Sequence, residues 1–385
     1  MTRPQQSRQM RHVKSLDGIR GIAVLLVMLF HYGYFAAGWI GVQIFFTLSG
    51  YLITNILLED RGSPFSTYAT RFYWRRTLRI FPLFYVFLLV VASVYALSHV
   101  PASFPSDWPW LVTYTANFAR MRAEDLGGCF VHIWSLALEE QFYLIWPFLV
   151  YFLPLRAFRW TVAGILLLAP AIRLAVFQVL LGFGHDGEYA GKAAYVMPFT
   201  QLDAFAAGAA IPLWRLDRMR HAGRWFLASF GAFAMAGVVV LAKAHFGSEG
   251  AFVASFGYQM YLGQSHEYVW GYSLINLLSM LGIICALQRI GSMRGLENYL
   301  LVRVGEVSYG VYVYHLPLLL VSTFLMKWLV GDLDGVLRPT LFVAWVALTI
   351  VVADASFRWL ETPFLKLKHN WPKRDGAQVS RQPVA

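Results

Sequence analysis

The sequence predicts an all-α fold, a polytopic membrane helix bundle of about ten transmembrane helices with both termini in the cytoplasm. Three observations carry that prediction. Charged residues make up only 14% of the 385 residues, against 58% hydrophobic, where soluble domains carry about 25% charged residues. Apolar runs long enough to cross a hydrocarbon core, roughly 20 residues, recur along the whole chain. The 32 Lys and Arg residues also fall unevenly between alternate loops, the pattern that orients helices in a bilayer.

The predicted spans lie near 16–35, 38–57, 80–98, 131–152, 160–181, 196–214, 225–243, 267–287, 307–326 and 339–359. With the N-terminus inside, the inner segments hold 24 Lys and Arg and the outer loops hold 6, with Arg20 and Arg173 inside spans. Orientation therefore accounts for most of the +11 net charge, and no nucleic-acid partner is needed to explain it. The first span is not a removable signal peptide, since Ile19–Tyr34 has no small-residue cleavage site and carries its own Arg20 and His31. Residues 1–365 read as one membrane domain, and 366–385 as a polar, disordered cytoplasmic tail. Cys129 and Cys285 fall at different depths, so no disulfide is expected, and there is no HxxxH, CxxC, P-loop, Rossmann or GxSxG pattern. No metal is expected.

The first span, SLDGIRGIAVLLVMLFHYG, places Asp17, Arg20 and His31 along one stripe. Arg20 and His31 lie within about 20° of each other and Asp17 about 40° from His31, with roughly 16 Å of rise between arginine and imidazole. Ionisable groups at membrane depth are costly and mark function by default, although a buried structural network is the competing explanation for each. His31 is either a proton-handling group or a hydrogen-bonding strut; an imidazole titrating near 6.5 suits it as a base. In the second span Gly38, Gly41, Ser49 and Gly50 read as close helix packing. Before and into the third span, Arg71, Arg75, Arg76 and Arg79 crowd the inner mouth. They are a topology anchor or, more sharply, a site for a cytoplasmic ligand with several phosphates, which guanidinium forks match. The outer loop from His99 to Cys129, with PASFPSDWPW, suits the membrane interface, and the outer loops 182–195 and 244–266 can shape a pocket.

In the fourth span Glu139 and Glu140 are adjacent acids whose side chains diverge by about 100°, so they are no acid/base dyad; one is expected to face a cavity and the other an arginine or backbone donor. Gln141 extends that patch. The sixth span carries Gln201 and Asp203 before an Ala/Gly run that favours tight packing. In the ninth, Ser308, Tyr312 and His315 share a face at i, i+4, i+7 beside Tyr309; His315 reads as a second base or a partner for a carboxylate. Asp354 and Arg358 in the last span form an i,i+4 ion pair.

Taken together, LDGIRG with the Arg20–x10–His31 spacing, GVQIFFTLSGYLIT, RRTLR, HIWSLALEEQFYLIWP and SYGVYVYHLP resemble the acyltransferase-3 family of integral-membrane O-acyltransferases, closely over spans one to four and nine. The resemblance implies a stand-alone form without a fused SGNH-type domain, in the inner (plasma) membrane. It implies transfer of an acyl group, most often acetyl, from cytoplasmic acyl-CoA to a hydroxyl of an extracytoplasmic or membrane-linked glycan such as exopolysaccharide or lipopolysaccharide. By the same resemblance His31 is the essential histidine, as base or acyl carrier, Arg20 the arginine of its motif, and Arg76 with Arg79 the RxxR pair. Glu139 and Glu140 are the intramembrane acids, and Tyr309 and His315 fall in the ninth-span motif. Trp134, Gln141, Ser308 and Tyr312 support the site, and Arg71 and Arg75 extend the CoA-phosphate contacts. On this scheme Asp17 or a fourth-span carboxylate orients the His31 ring, as the third member of a triad does. The alternatives are acylation of a small natural product such as a macrolide and a proton-coupled transporter using the same buried charges.

Overall fold

A computed structural model describes residues 13–122, 125–246, 255–261, 266–331 and 337–367. Most of the expected polar tail and much of the loop 244–266 lie outside the described residues. Among them, helices of 17 residues or more occur where the ten spans were predicted: α1 (Lys14–His31), α2 (Ile40–Asp60), α3 (Phe65–Ser98), α4 (Trp134–Phe152), α5 (Leu155–Gly182), α6 (Pro198–Trp214), α7 (Ala222–Phe246), α8 (Glu267–Leu287), α9 (Ser308–Val330) and α10 (Leu337–Ser356). Seven of these, all but α1, α4 and α6, are long and apolar enough to cross a membrane. Polar residues such as Asp17, Arg20, Glu139 and Glu140 dilute α1 and α4, and α6 has 17 residues. The fold is a helical membrane bundle.

α2 runs through the middle of it, packed against α1, α4, α6 and α8. Its crossing with α6 is the closest kind: a Cβ on Gly50 would lie 2.0 Å from Phe205 O, and one on Gly208 1.9 Å from Thr47 O. Neither position can carry a side chain without parting the helices, as small-residue crossings in membranes require. Gln43 Nε2 donates to Gln201 Oε1 at 2.8 Å across the same crossing. On the perimeter, α3, α5, α7 and α10 expose large apolar side chains such as Leu89, Leu97, Leu167, Val238 and Val351, as a lipid-facing surface should. α3 begins fifteen residues earlier than predicted, so the arginine run lies within one long helix and not in a loop.

Several charged residues within the spans are structural struts. Arg173 of α5 and Asp203 of α6 are both buried and pair at 2.9 Å, with Ser273 of α8 donating to Asp203 at 3.0 Å. The pair Asp354–Arg358 forms at 2.6 Å, and Asp354 also binds Arg303, which reaches Glu306 at 2.7 Å. Cys129 and Cys285 are free.

Candidate active site

α1 stops at His31 because the chain turns there. Tyr32 N–H donates to Met28 O, those of Tyr34 and Phe35 reach back to Leu29 O, and Gly33 takes φ +80°, a left-handed value open to glycine without a Cβ clash. The imidazole thus stands at a helix end. His31 Nδ1 is 3.1 Å from Val27 O and 3.1 Å from His315 Nε2. His315 Nδ1 in turn is 2.6 Å from Tyr312 O. A carbonyl only accepts, so the Nδ1 of a neutral His315 carries the proton and its Nε2 presents a lone pair. That lone pair and Val27 O both require a donor, which makes His31 Nδ1 the protonated nitrogen. Nε2 of a neutral His31 is then the basic nitrogen.

His31 lines a cavity of about 160 Å³ with Trp39, Arg120, His132, Trp134 and Tyr195. Tyr195 and Met260 come from the two loops expected to shape a pocket, and both line it. His132 brings a third imidazole, its ring centroid 4.8 Å from that of His315. Despite this convergence, no group of three His, Cys, Asp or Glu among the described residues is arranged to hold a metal ion.

A second cavity, of about 110 Å³, lies toward the other end of α1. Arg20, Arg76 and Arg79 line it together with Ser49, Glu139, Glu140, Tyr143, Ser308 and Tyr309. Glu139 accepts from Ser49 at 2.8 Å and from Tyr143 at 3.4 Å, and the Arg76 guanidinium lies 5.3 Å from the Tyr143 ring centroid. Arg20 pairs with Asp17 at 2.7 Å. Among the described residues neither Arg76 nor Arg79 forms an ion pair within 4 Å; the buried Glu361 carboxylate acts on Arg79 only from beyond that distance. Val42 and Tyr312 line both cavities and form the wall between them. The Tyr312 hydroxyl is pinned there, 2.5 Å from Ser135 Oγ and donating to His132 O at 3.1 Å.

The acyltransferase-3 family, described as the acyltransferase domain, matches residues 13–358. The chain belongs to that family. Peptidoglycan O-acetyltransferase OatA of Listeria monocytogenes is 30% identical over 383 residues, covering 92% of this chain and 56% of the relative. A putative peptidoglycan O-acetyltransferase of Bacillus subtilis, YrhL, is 29% identical over 371 residues, covering 92% and 55%. A putative O-acetyltransferase of Staphylococcus aureus is 26% identical over 382 residues, covering 93% and 58%. The chain thus spans a little over half the length of the curated relatives it matches. No solved structure matches it.

Within this acyltransferase-3 chain the structure sorts the residues singled out from sequence. Arg20, Arg76, Arg79, Glu139, Glu140, Ser308, Tyr309 and Tyr312 share the lower cavity, and His31 and Trp134 share the upper one with Tyr312. Four expectations are corrected. Arg71 pairs with Asp60 at 3.1 Å and Arg75 is exposed, so neither lines the cavity. On α3, Arg76 stands about 60° to one side of Arg79, while Arg75 and Arg71 stand about 40° and 80° to the other. Gln141 bonds Tyr114 O and Asn117, tying α4 to the outer loop instead of extending the site. The partner of the His31 ring is His315 and not Asp17 or a fourth-span acid, which lie with the arginines. Both glutamates line the same cavity, and the donors to Glu139 are hydroxyls, not an arginine or the backbone. Sequence reading missed Ser49, Tyr143, Ser135, His132, Arg120, Trp39 and Tyr195. Ser49, read there as a packing residue, and Tyr143, Ser135 and His132 sit inside the quoted motifs; Tyr195 closes a loop expected to shape a pocket, and Arg120 carries no signal.

Proposed function

We propose that the chain is a membrane O-acetyltransferase that moves an acetyl group from cytoplasmic acyl-CoA to a hydroxyl of an extracytoplasmic or membrane-linked glycan, in the plasma membrane with the arginine end of α1 facing the cytoplasm. One observation carries this reading. Two guanidinium groups without a direct carboxylate partner, Arg76 and Arg79, line a cavity whose far wall, Tyr312, backs onto the cavity of His31. Unpaired cations at membrane depth are costly, and a polyphosphate ligand repays them with charge-assisted, forked hydrogen bonds. The names of the relatives support acetyl transfer to a glycan.

The donor lies along the lower cavity with its phosphates on Arg76 and Arg79 and its thioester at the Tyr312 wall. Because Val42 and Tyr312 separate the two cavities, the Tyr312 side chain must move aside to bring the thioester to His31, whose Nε2 then takes the proton of the acceptor hydroxyl as the oxygen bonds to the thioester carbonyl carbon. The carbon–sulfur bond breaks as the tetrahedral intermediate collapses, and the imidazolium proton passes to the departing sulfur. CoA leaves as the thiol and His31 returns to its neutral state. His315 is the positioning residue that keeps His31 Nδ1 protonated and receives its hydrogen bond when the ring is cationic, the place a carboxylate holds in a triad.

The test is the purified chain in lipid nanodiscs with radiolabelled acetyl-CoA and peptidoglycan fragments as acceptor. Label is expected on carbohydrate and lost in His31→Ala. Undiminished transfer by His31→Ala, or solute uptake by proteoliposomes without any transfer, overturns the reading and favours a transporter.

A further inference from the structure

The cavity at His31 has features the transfer step does not use. We propose that it is an acceptor subsite for an anionic sugar, the pyranose ring lying against the Trp39, Trp134 and Tyr195 side chains and its anionic substituent held by Arg120. The reaction this serves rests on the reading above; the binding site does not.

Three rings line one corner of the cavity. The Tyr195 ring centroid is 4.5 Å from that of Trp134, at 53° between planes, and 5.5 Å from that of Trp39, at 86°. An aromatic lining with a few polar groups at its edge is what a small-ligand site needs. Arg120 supplies the polar edge. Its side chain is 7% exposed and donates to Asp125 at 2.6 Å and to the Tyr261 hydroxyl at 2.8 Å, while its Nε has no partner. His132 Nδ1, in the same cavity, is also buried without one. Buried orphan atoms are rare enough to call for a ligand or a role.

The ion pairing points the same way. Asp125 Oδ2 also accepts from Lys192 at 2.6 Å, so among the described residues Arg120 shares its one carboxylate partner with a second cation. Orientation in the membrane gives no reason for Arg120 there, because cations outside are disfavoured. A fixed guanidinium also opposes the formation of an imidazolium on His31 in the same cavity. A carboxylate or phosphate on the acceptor offsets that charge on arrival, so the site is armed only when such an acceptor is bound.

The experiment is titration calorimetry of the purified full chain in detergent, with no acyl donor, against three probes: N-acetylmuramic acid (a carboxylate), N-acetylglucosamine 1-phosphate (a phosphate) and neutral N-acetylglucosamine. At least one anionic probe is expected to bind tenfold or more tightly than the neutral one, and the better of the two names the source of the anion. Arg120→Gln should weaken the anionic probes 10- to 100-fold, the loss of one or two charge-assisted bonds, and leave the neutral one within twofold. Asp125→Asn, which frees the guanidinium without removing it, should tighten the anionic probes. Equal binding of charged and neutral sugars by the wild-type chain overturns the proposal whether or not the variants fold, as does an equal loss for all three in Arg120→Gln. Arg120-dependent anion binding without acetyl transfer would instead leave the subsite standing and remove the proposed reaction.

Discussion

Replacing His315 separates a positioning role from a packing role. In the proposed reaction His31 Nδ1–H faces two acceptors, Val27 O and His315 Nε2, each at 3.1 Å. His315→Leu removes the second and leaves the first, so the tautomer survives while the imidazolium loses one of its two hydrogen bonds. A hydrogen bond to a charged group contributes about 1.5–3 kcal/mol. The charge exists only while the acceptor proton resides on His31, so the loss falls on the transition state, about 10- to 150-fold in kcat. KM for either substrate should stay within about twofold, because His315 touches neither cavity's ligand. His315→Gln places an amide oxygen near the position of Nε2 and should recover most of the rate. The fold is buffered in both variants, since the anchor from this position to α10 is a backbone one, Trp345 Nε1 donating to His315 O at 2.9 Å. The assay is steady-state acetyl transfer by nanodisc-embedded protein, with thermal stability measured in parallel. If glutamine is as poor as leucine at equal stability, or if leucine leaves kcat untouched, His315 does not act through the His31 ring and the triad-like reading is wrong.

Further outcomes follow from the same geometry. Arg76→Ala or Arg79→Ala should raise KM for acetyl-CoA about 10- to 100-fold with a smaller change in kcat, each removing charge-assisted phosphate contacts; an unchanged KM in both would empty the lower cavity of its assigned role. Tyr312→Ala takes away the wall between the cavities and should raise acceptor-independent hydrolysis of acetyl-CoA, read as free CoA, whereas Tyr312→Phe keeps the wall and should not. Asp203→Ala strands Arg173 in the bundle interior and should destabilise the fold by about 3–5 kcal/mol, seen as a lowered Tm in detergent, while Asp203→Asn should cost less. Initial-rate kinetics should show a ternary complex; a ping-pong pattern would mean that His31 carries the acetyl group covalently.

Much of this bundle is legible in the sequence because hydrocarbon imposes one solution, the helix, on every apolar run of sufficient length. α8 begins and ends where hydropathy puts it, and the Gly50–Gly208 crossing could be anticipated from small residues in both spans. Helix ends were less legible. α1 stops four residues early because Gly33 turns the chain, and hydropathy does not distinguish an apolar turn from an apolar helix. Face relations within a helix were readable too, as with Ser308, Tyr312 and His315. Contacts between helices were not: nothing in spacing says that His315, 284 residues from His31, supplies its ring partner. Nor does spacing say that Asp17 turns toward Arg20 and away from the imidazole.

The division among the buried charges carries the functional reading one step further. Arg173 has Asp203, Arg303 has Asp354 and Glu306, and Arg71 has Asp60. Each of these cations is answered by an anion of the chain itself, which is what stability in a low-dielectric interior demands. Arg76 and Arg79 depart from that pattern in making no direct ion pair, although Glu139 and Glu140 line the same cavity and Glu361 acts on Arg79 at longer range. Glu139 is held by the hydroxyls of Ser49 and Tyr143, which keeps an acid of the same cavity occupied and the Arg76 guanidinium open. A protein built only to sit in a membrane would gain by letting these groups pair. Keeping acid and arginine apart across one cavity is costly for the free chain and useful to a ligand that brings its own negative charge, so Ser49→Ala and Tyr143→Phe, by releasing Glu139 toward Arg76, should weaken donor binding without removing any group that touches the donor phosphates.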